Sequence, residues 1–364
     1  MSDFFRNLVE DMKDEDTVIA ADGTGSAEFT GTIDTGSYIL NAQLSGSIYG
    51  GVPNNKVTAF AGESATGKTF FVLGIVQAFL RDNPDAGVVY YDTEAAVTKD
   101  MMEKRGIDTE RVILAEPDTI QNFRTHALNV IDQFSKTPEN RRPPMMFVLD
   151  SLGLLSTTKE MEDSSAGAET RDMTKAQLIK ATFRVLTLKL AKAKIPMLVT
   201  NHVYTMVGQY IPLKEVSGGS GLKYAASTIA MLTKKKDKEG TDVVGGLISC
   251  TTYKSRLSKE NKKVEVRLSF EKGLDRYYGL LDLACKYGII KKIATRFEMP
   301  DGTKLYAKSI YENPEKYFTD DLLQLIDKAA RKEFMYGEDF NEGSISDSDA
   351  EGVASEQGGQ SEAS

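Results

Sequence analysis

The sequence predicts an α/β fold: a mostly parallel sheet covered by helices and extended by antiparallel strands. A short N-terminal helix and linker stand in front, and a small C-terminal α+β cap follows. Three observations predict this. A glycine-rich phosphate loop lies between an apolar strand and a helix. Apolar runs then alternate with helical stretches between about residues 37 and 236. After residue 229 the character changes, and two strands follow of which the second, 263–270, alternates every two residues.

The elements follow in chain order. Residues 4–12 predict an amphipathic helix with Phe4, Phe5, Leu8 and Met12 near one face. Residues 14–36 are rich in Gly, Thr and Asp and predict a linker with one aromatic, Phe29. Apolar runs at 57–61, 88–91, 145–149 and 196–200 predict buried strands, and helical spacing covers 70–81, 120–134 and 172–192. Residues 246–253 and 263–270 predict an antiparallel pair, the second with Val264, Val266, Leu268 and Phe270 on one side. Two further helices are expected over 278–292 and 319–334, flanking a turn at Pro300-Asp301-Gly302. Four segments result: a helix and linker over 1–36, a core over 37–272, a small domain over 273–336 and a disordered acidic tail over 337–364.

The phosphate loop carries the first chemical signal. Gly62, Glu63, Ser64, Ala65, Thr66, Gly67, Lys68 and Thr69 form Gly-x-x-x-x-Gly-Lys-Thr, with Phe70 opening the next helix. Glycines let the backbone wrap a phosphate, and the positive end of the helix dipole faces the same anion. Lys68 would reach the β- and γ-phosphates and the Thr69 hydroxyl would hold Mg²⁺, so the motif implies a nucleoside triphosphate.

Three more strand tips add polar groups. Val88 to Tyr91 runs into Asp92-Thr93-Glu94. Ligands bind beyond the carboxyl ends of such strands, so Glu94 is either a base that orients water or a loop acid capping a turn. Met145 to Leu149 ends in Asp150, an acid in position to support Mg²⁺ behind Thr69, and Ser151 follows. The fourth run ends in Asn201-His202, where His202 could sense the γ-phosphate or be satisfied by water.

Composition sets broad limits. The chain is 41% hydrophobic and 27% charged, with no apolar run long enough for a membrane span. Cys250 and Cys285 are isolated, which predicts two buried thiols in a reduced compartment such as the cytoplasm. Of the net charge of −8, the tail from Gly337 contributes −8 and the first thirty residues −6, leaving +6 on residues 31–336. A mildly basic body with acidic ends suits a nucleic-acid surface, or is simply the result of solvated ends collecting acids.

The combined motifs resemble the RecA-type recombinases. They are the phosphate loop, Tyr91-Asp92-Thr93-Glu94, Phe147-Val148-Leu149-Asp150-Ser151, Thr200-Asn201-His202 and Gly218-Gly219-Ser220-Gly221-Leu222-Lys223-Tyr224. The likeness runs from about residue 39 to 283 and is greatest to phage members, which carry Asn-His where bacterial ones have Asn-Gln. It implies a RecA-like P-loop ATPase core, ATP and Mg²⁺ as cofactors, and Mg²⁺-dependent, DNA-dependent ATP hydrolysis. By resemblance Glu94 activates water, His202 senses the γ-phosphate, and Lys254 and Arg256 reach across a subunit interface to the neighbour's γ-phosphate. Bacterial members have Lys where Arg256 stands.

The resemblance also implies two DNA-binding loops. Residues 203–221 look like one of them, with Gly218, Gly219 and Ser220 for flexibility and Tyr204, Met206, Val207 and Tyr210 to wedge or stack against bases. Residues 157–171 look like the other. Arg171 and Lys175 are phosphate-contact candidates, although a solvated helix face explains them nearly as well. Phe270 aligns with an aromatic that covers adenine, but it also completes its strand's apolar face. Phe29 could plug one protomer into the next. Thr98 and Met101 depart from the bacterial pattern, which has an acid and an aromatic there to hold the base.

The expected activity is ATP-dependent strand exchange by helical filaments on single-stranded DNA, with homologous duplex DNA as second substrate. A recombination mediator and a single-strand-binding protein are implied as partners, and no membrane. Two alternatives share these motifs: a hexameric DNA helicase with the same core, and an ATP-gated scaffold that coats single-stranded DNA.

Overall fold

The computed structural model describes residues 2–12, 17–23, 25, 28, 30–167, 174–205, 214–216, 220–269 and 273–337. They form two compact units. One comprises residues up to Ile33 together with Pro53–Ile229, and the other comprises Asp34–Val52 and the chain from Ala230 onward.

In the first unit, five parallel strands lie in the order Val57–Gly62, Met197–Thr205, Met145–Asp150, Gly87–Asp92 and Val112–Ala115. Val57–Gly62 is buried throughout, and the two strands ending in Asp92 and Asp150 are buried after their first residue. Unbroken burial is what a parallel sheet covered on both faces imposes, and it explains why these runs are apolar without alternation. The register sets Gly62 beside His202 and Asp92 beside Asp150. The polar ends of four separate runs are thereby brought to one edge of the sheet.

The helices are punctuated by their caps. Thr119 accepts the Asn122 N–H at 3.2 Å to start Ile120–Ser135, which buries Ile120, Phe123, Ala127 and Ile131 at helical spacing. Thr157 and Glu160 form a reciprocal capping box that opens Thr158–Ser165, a helix the sequence did not announce. Lys175–Lys192 buries Ile179, Phe183, Leu186 and Leu190. Against it lies Ser220–Ala225, where a Cβ on Gly221 would meet the Lys180 backbone nitrogen at 2.8 Å. The N-terminal helix Ser2–Met12 presents Phe4, Phe5, Leu8 and Met12 to solvent.

The second unit contains most of Thr228–Glu239, then Asp242–Ser255, Lys263–Ser269 and Gly273–Leu274, hydrogen-bonded in that order. Ile248 pairs with Val266 and Cys250 with Val264 in an antiparallel ladder, so the alternation read in the sequence becomes one buried face. The helix Tyr38–Ser45 packs here, and its buried Gln43 amide donates to Cys250 O at 2.8 Å and Lys262 O at 2.9 Å.

A three-stranded sheet of Lys291–Ile293, Arg296–Glu298 and Lys304–Tyr306 follows, with helices Ala307–Glu312 and Asp320–Phe334. The helix expected over 278–292 spans only Leu280–Lys286. Gly288, at φ 72°, turns the chain left-handed just past the helix end, and the chain re-emerges as a strand. Cys285 is half-buried rather than buried, because the helix turns Leu280, Leu281, Leu283 and Ala284 inward and leaves position 285 off that face. Glu333 is the electrostatic centre of this unit. It accepts from Lys262 Nζ at 2.7 Å, Lys286 Nζ at 2.6 Å and the Tyr287 hydroxyl at 2.9 Å. Burial opposes its ionisation, but these three donors outweigh burial and bring its pKa down to about 2.

Candidate functional site

The phosphate loop leaves its strand at Gly62 and enters the helix Lys68–Asp82. Ala65 at φ 60° and Gly67 at φ 95° give the curl, and among the described residues no side chain caps the helix start. Its first N–H groups are therefore left for an anion. Thr66 closes the loop with a 2.9 Å bond to Glu63 O. Lys68 is 6% exposed and donates to Gly62 O at 3.2 Å and Glu63 O at 2.9 Å. Burial lowers its pKa, against the pull of Glu94 and Asp150. A buried ammonium whose hydrogen bonds among the described residues go to loop carbonyls fits a triphosphate. Glu63, Ser64 and Ala65 are exposed at the rim, whereas Thr69 and Phe70 are half-buried.

Glu94 follows the strand Gly87–Asp92. Asp92 shapes that turn by accepting from the Glu94 N–H at 3.0 Å, the Ala96 N–H at 2.9 Å and the Val97 N–H at 2.8 Å. The Glu94 Oε1 stands 3.0 Å from His202 Nε2. Burial raises the carboxyl pKa, but hydrogen bonds from His202 and Ser151 and the Lys68 charge bring it below the ordinary value. Glu94 is thus ionised at neutral pH, as a proton acceptor must be. His202 is not at a strand tip as the sequence suggested. Its strand runs on to Thr205 and pairs Val203, Tyr204 and Thr205 with Val216, Glu215 and Lys214.

Asp150 is buried, and both of its carboxylate oxygens are occupied. Oδ2 accepts the Tyr90 hydroxyl at 2.8 Å, and Oδ1 accepts the Thr200 hydroxyl. Two donors already use half of its lone-pair sites and fix its orientation, so Asp150 fits a metal best through water, with Thr69 as the protein ligand. Beside it Thr93 clamps Ser151: the Ser151 N–H donates to Thr93 Oγ1 at 2.8 Å, and Thr93 Oγ1–H donates to Ser151 O at 2.7 Å. The Asp150–Ser151 peptide is cis. Sequence reasoning gave no role to Tyr90, Thr93 or Thr200, because their partners lie across the sheet and no spacing announces them.

The remaining candidates are placed as follows. Lys254 is half-buried near the end of Asp242–Ser255, in the second unit, and Arg256 is exposed just beyond it. Lys175 starts its helix and faces Glu160 Oε2 at 3.5 Å. Tyr204 lies on the extended strand, and the backbone of Ser220 starts a helix. Arg171, Met206, Val207, Tyr210, Gly218, Gly219, Phe270 and Phe29 lie outside the described residues. Thr98 is the N-cap of Lys99–Glu103, accepting the Met101 N–H at 3.2 Å. A separate cavity of about 610 Å³ is lined by Asp118, Asn122, Met161 and Glu162 among others; its lining has two acids and no cation, which does not suit a triphosphate.

A model of the RecA N-terminal domain matches residues 9–275. The recombination and repair protein of Enterobacteria phage T4 is 32% identical over 254 residues, which are 70% of this chain and 63% of that protein. The protein RecA of Malacoplasma penetrans is 27% identical over 306 residues, covering 81% of this chain and 86% of its own length. The protein RecA of Streptomyces rimosus is 26% identical over 323 residues, covering 86% of this chain and 80% of its own. The chain thus spans just under two thirds of the phage relative and about four fifths or more of these two bacterial ones.

Proposed function

The chain belongs to the RecA family, and from that membership we propose that it is an ATP-dependent DNA strand-exchange recombinase acting as a filament on single-stranded DNA. One observation carries the reading: Glu94 and His202 meet at 3.0 Å on the sheet edge that also carries the phosphate loop. ATP would lie along Gly62–Thr69, with Lys68 and the helix N–H groups neutralising its phosphates and Phe70 beside its nucleoside. Mg²⁺, when bound, would neutralise phosphate charge, held by Thr69 and backed by Asp150.

Glu94 orients a water for attack on the γ-phosphorus and accepts its proton, while the bond from that phosphorus to the β–γ bridging oxygen breaks and ADP leaves with that oxygen. His202 holds Glu94 in that orientation and reports the γ-phosphate to the segment that follows. Lys254 and Arg256 of one copy stabilise the charge on its neighbour's ATP, so that each nucleotide joins two protomers. Residues 1–36 dock one protomer on the next. Single-stranded DNA, then homologous duplex, engages Tyr204, Met206, Val207, Tyr210, Gly218, Gly219 and Ser220, with Arg171 and Lys175 on phosphates. A mediator and a single-strand-binding protein complete the partners, in the cytoplasm. No helix among the described residues is long and apolar enough to cross a membrane.

Electron microscopy with single-stranded DNA and a slowly hydrolysed ATP analogue tests the reading. Open helical filaments that pair homologous duplex support it. Closed six-membered rings that unwind DNA contradict it.

A further inference from the structure

Bacterial relatives are expected to hold the base with an acid and an aromatic, and this chain has neither at those places. The Thr98 hydroxyl is occupied as a helix cap and Met101 is half-buried. One helical turn beyond Met101, Arg105 does something unusual for a surface arginine. Its guanidinium lies over the Phe70 ring, 4.5 Å from the centroid. Nη1 is tied to Met101 O at 2.7 Å, which holds the fork in place. Nε is buried and has no hydrogen-bond partner among the described residues. Acids lie close in sequence, but they are engaged elsewhere: Asp100 with Lys104 and Glu103 with Lys99.

Phe70 directly follows Thr69, on the first turn of the helix that cradles the phosphates. Its neighbour Phe71 points into the core against Phe60, so helical geometry turns Phe70 to the rim. A cation held over an aromatic beside a triphosphate site is a group against which a base can lie.

We propose that the Phe70–Arg105 stack is the platform for the purine base of the bound nucleoside triphosphate. It replaces the missing acid and aromatic, and it deepens the ATPase reading on which it rests. Phe70 supports the guanidinium, and the base lies against the guanidinium. Stacking reads a π-face rather than a donor–acceptor edge, so adenine and guanine are held alike.

The test measures binding of ATP, GTP and inorganic tripolyphosphate to the full chain with Mg²⁺. Arg105→Leu is expected to weaken ATP and GTP each about tenfold, the scale of one lost base stack, and to leave tripolyphosphate unchanged. Arg105→Lys keeps the charge but lacks the plane, and should behave like Arg105→Leu. Phe70→Leu should give a smaller loss with the same pattern. Unchanged ATP affinity in Arg105→Leu overturns the proposal. So does an equal loss for tripolyphosphate, which would mean that Arg105 only shapes the loop. A wild-type chain that binds none of the three overturns the ATPase reading along with the platform.

Discussion

The imidazole Nε2 of His202 and the carboxylate Oε1 of Glu94 stand 3.0 Å apart, although their strands are separated by the strand of Asp150. His202 also lies one residue before the ladder that joins Val203–Thr205 to Lys214–Val216. A shift in that ladder therefore moves the residue that holds the proposed base. On this account His202→Ala abolishes coupling: the ratio of ATPase rates with and without single-stranded DNA falls toward one. A ratio equal to that of the wild type would contradict the account.

Thr93 supports the same corner through the backbone. Thr93→Val removes both bonds to Ser151 and leaves a buried N–H and C=O without that partner. A loss of about 1–3 kcal/mol is expected for such groups, read as a lower urea midpoint, with reduced ATP turnover because Glu94 is the next residue. Thr93→Ser keeps the hydroxyl and should retain most of both. Equal stability of the Val and Ser variants would show that the clamp carries no weight.

Much of this corner was legible in the sequence. Gly62–Thr69, Glu94, Asp150 and His202 stand out because phosphate chemistry demands fixed residue types at strand ends. The pairings that hold them were not legible, since Thr200 to Asp150 and Tyr90 to Asp150 join residues 50 and 60 positions apart. The strand Thr228–Glu239 escaped notice because its second half is polar and mostly exposed, with Lys234, Lys235 and Lys236 in a row. Val112–Ala115 escaped it for another reason: it is a four-residue edge strand with Ile113 and Leu114 exposed, which breaks the burial pattern of its neighbours. The helix over-read at 278–292 shows the limit of apolar spacing where one left-handed glycine decides the end.

Glu333 gives the second unit a defined pH dependence. Its folded pKa, about 2, lies below the ordinary 4.5. Its contribution is therefore complete above pH 4.5 and is lost as the pH falls toward 2. Glu333→Gln should be less stable than the wild type at pH 7, and the gap should close between pH 4.5 and 2. Urea midpoints at pH 7, 4 and 3 measure this. A gap independent of pH would mean that packing, not charge, explains the loss.

The most direct measurement is ATP hydrolysis by Glu94→Gln with single-stranded DNA. The substitution keeps the shape and the contact with His202 but removes the proton acceptor. The account predicts that turnover falls by about 10²–10⁴-fold, the usual contribution of a positioned base, while ATP-dependent DNA binding persists. Hydrolysis within a few-fold of the wild-type rate would contradict it.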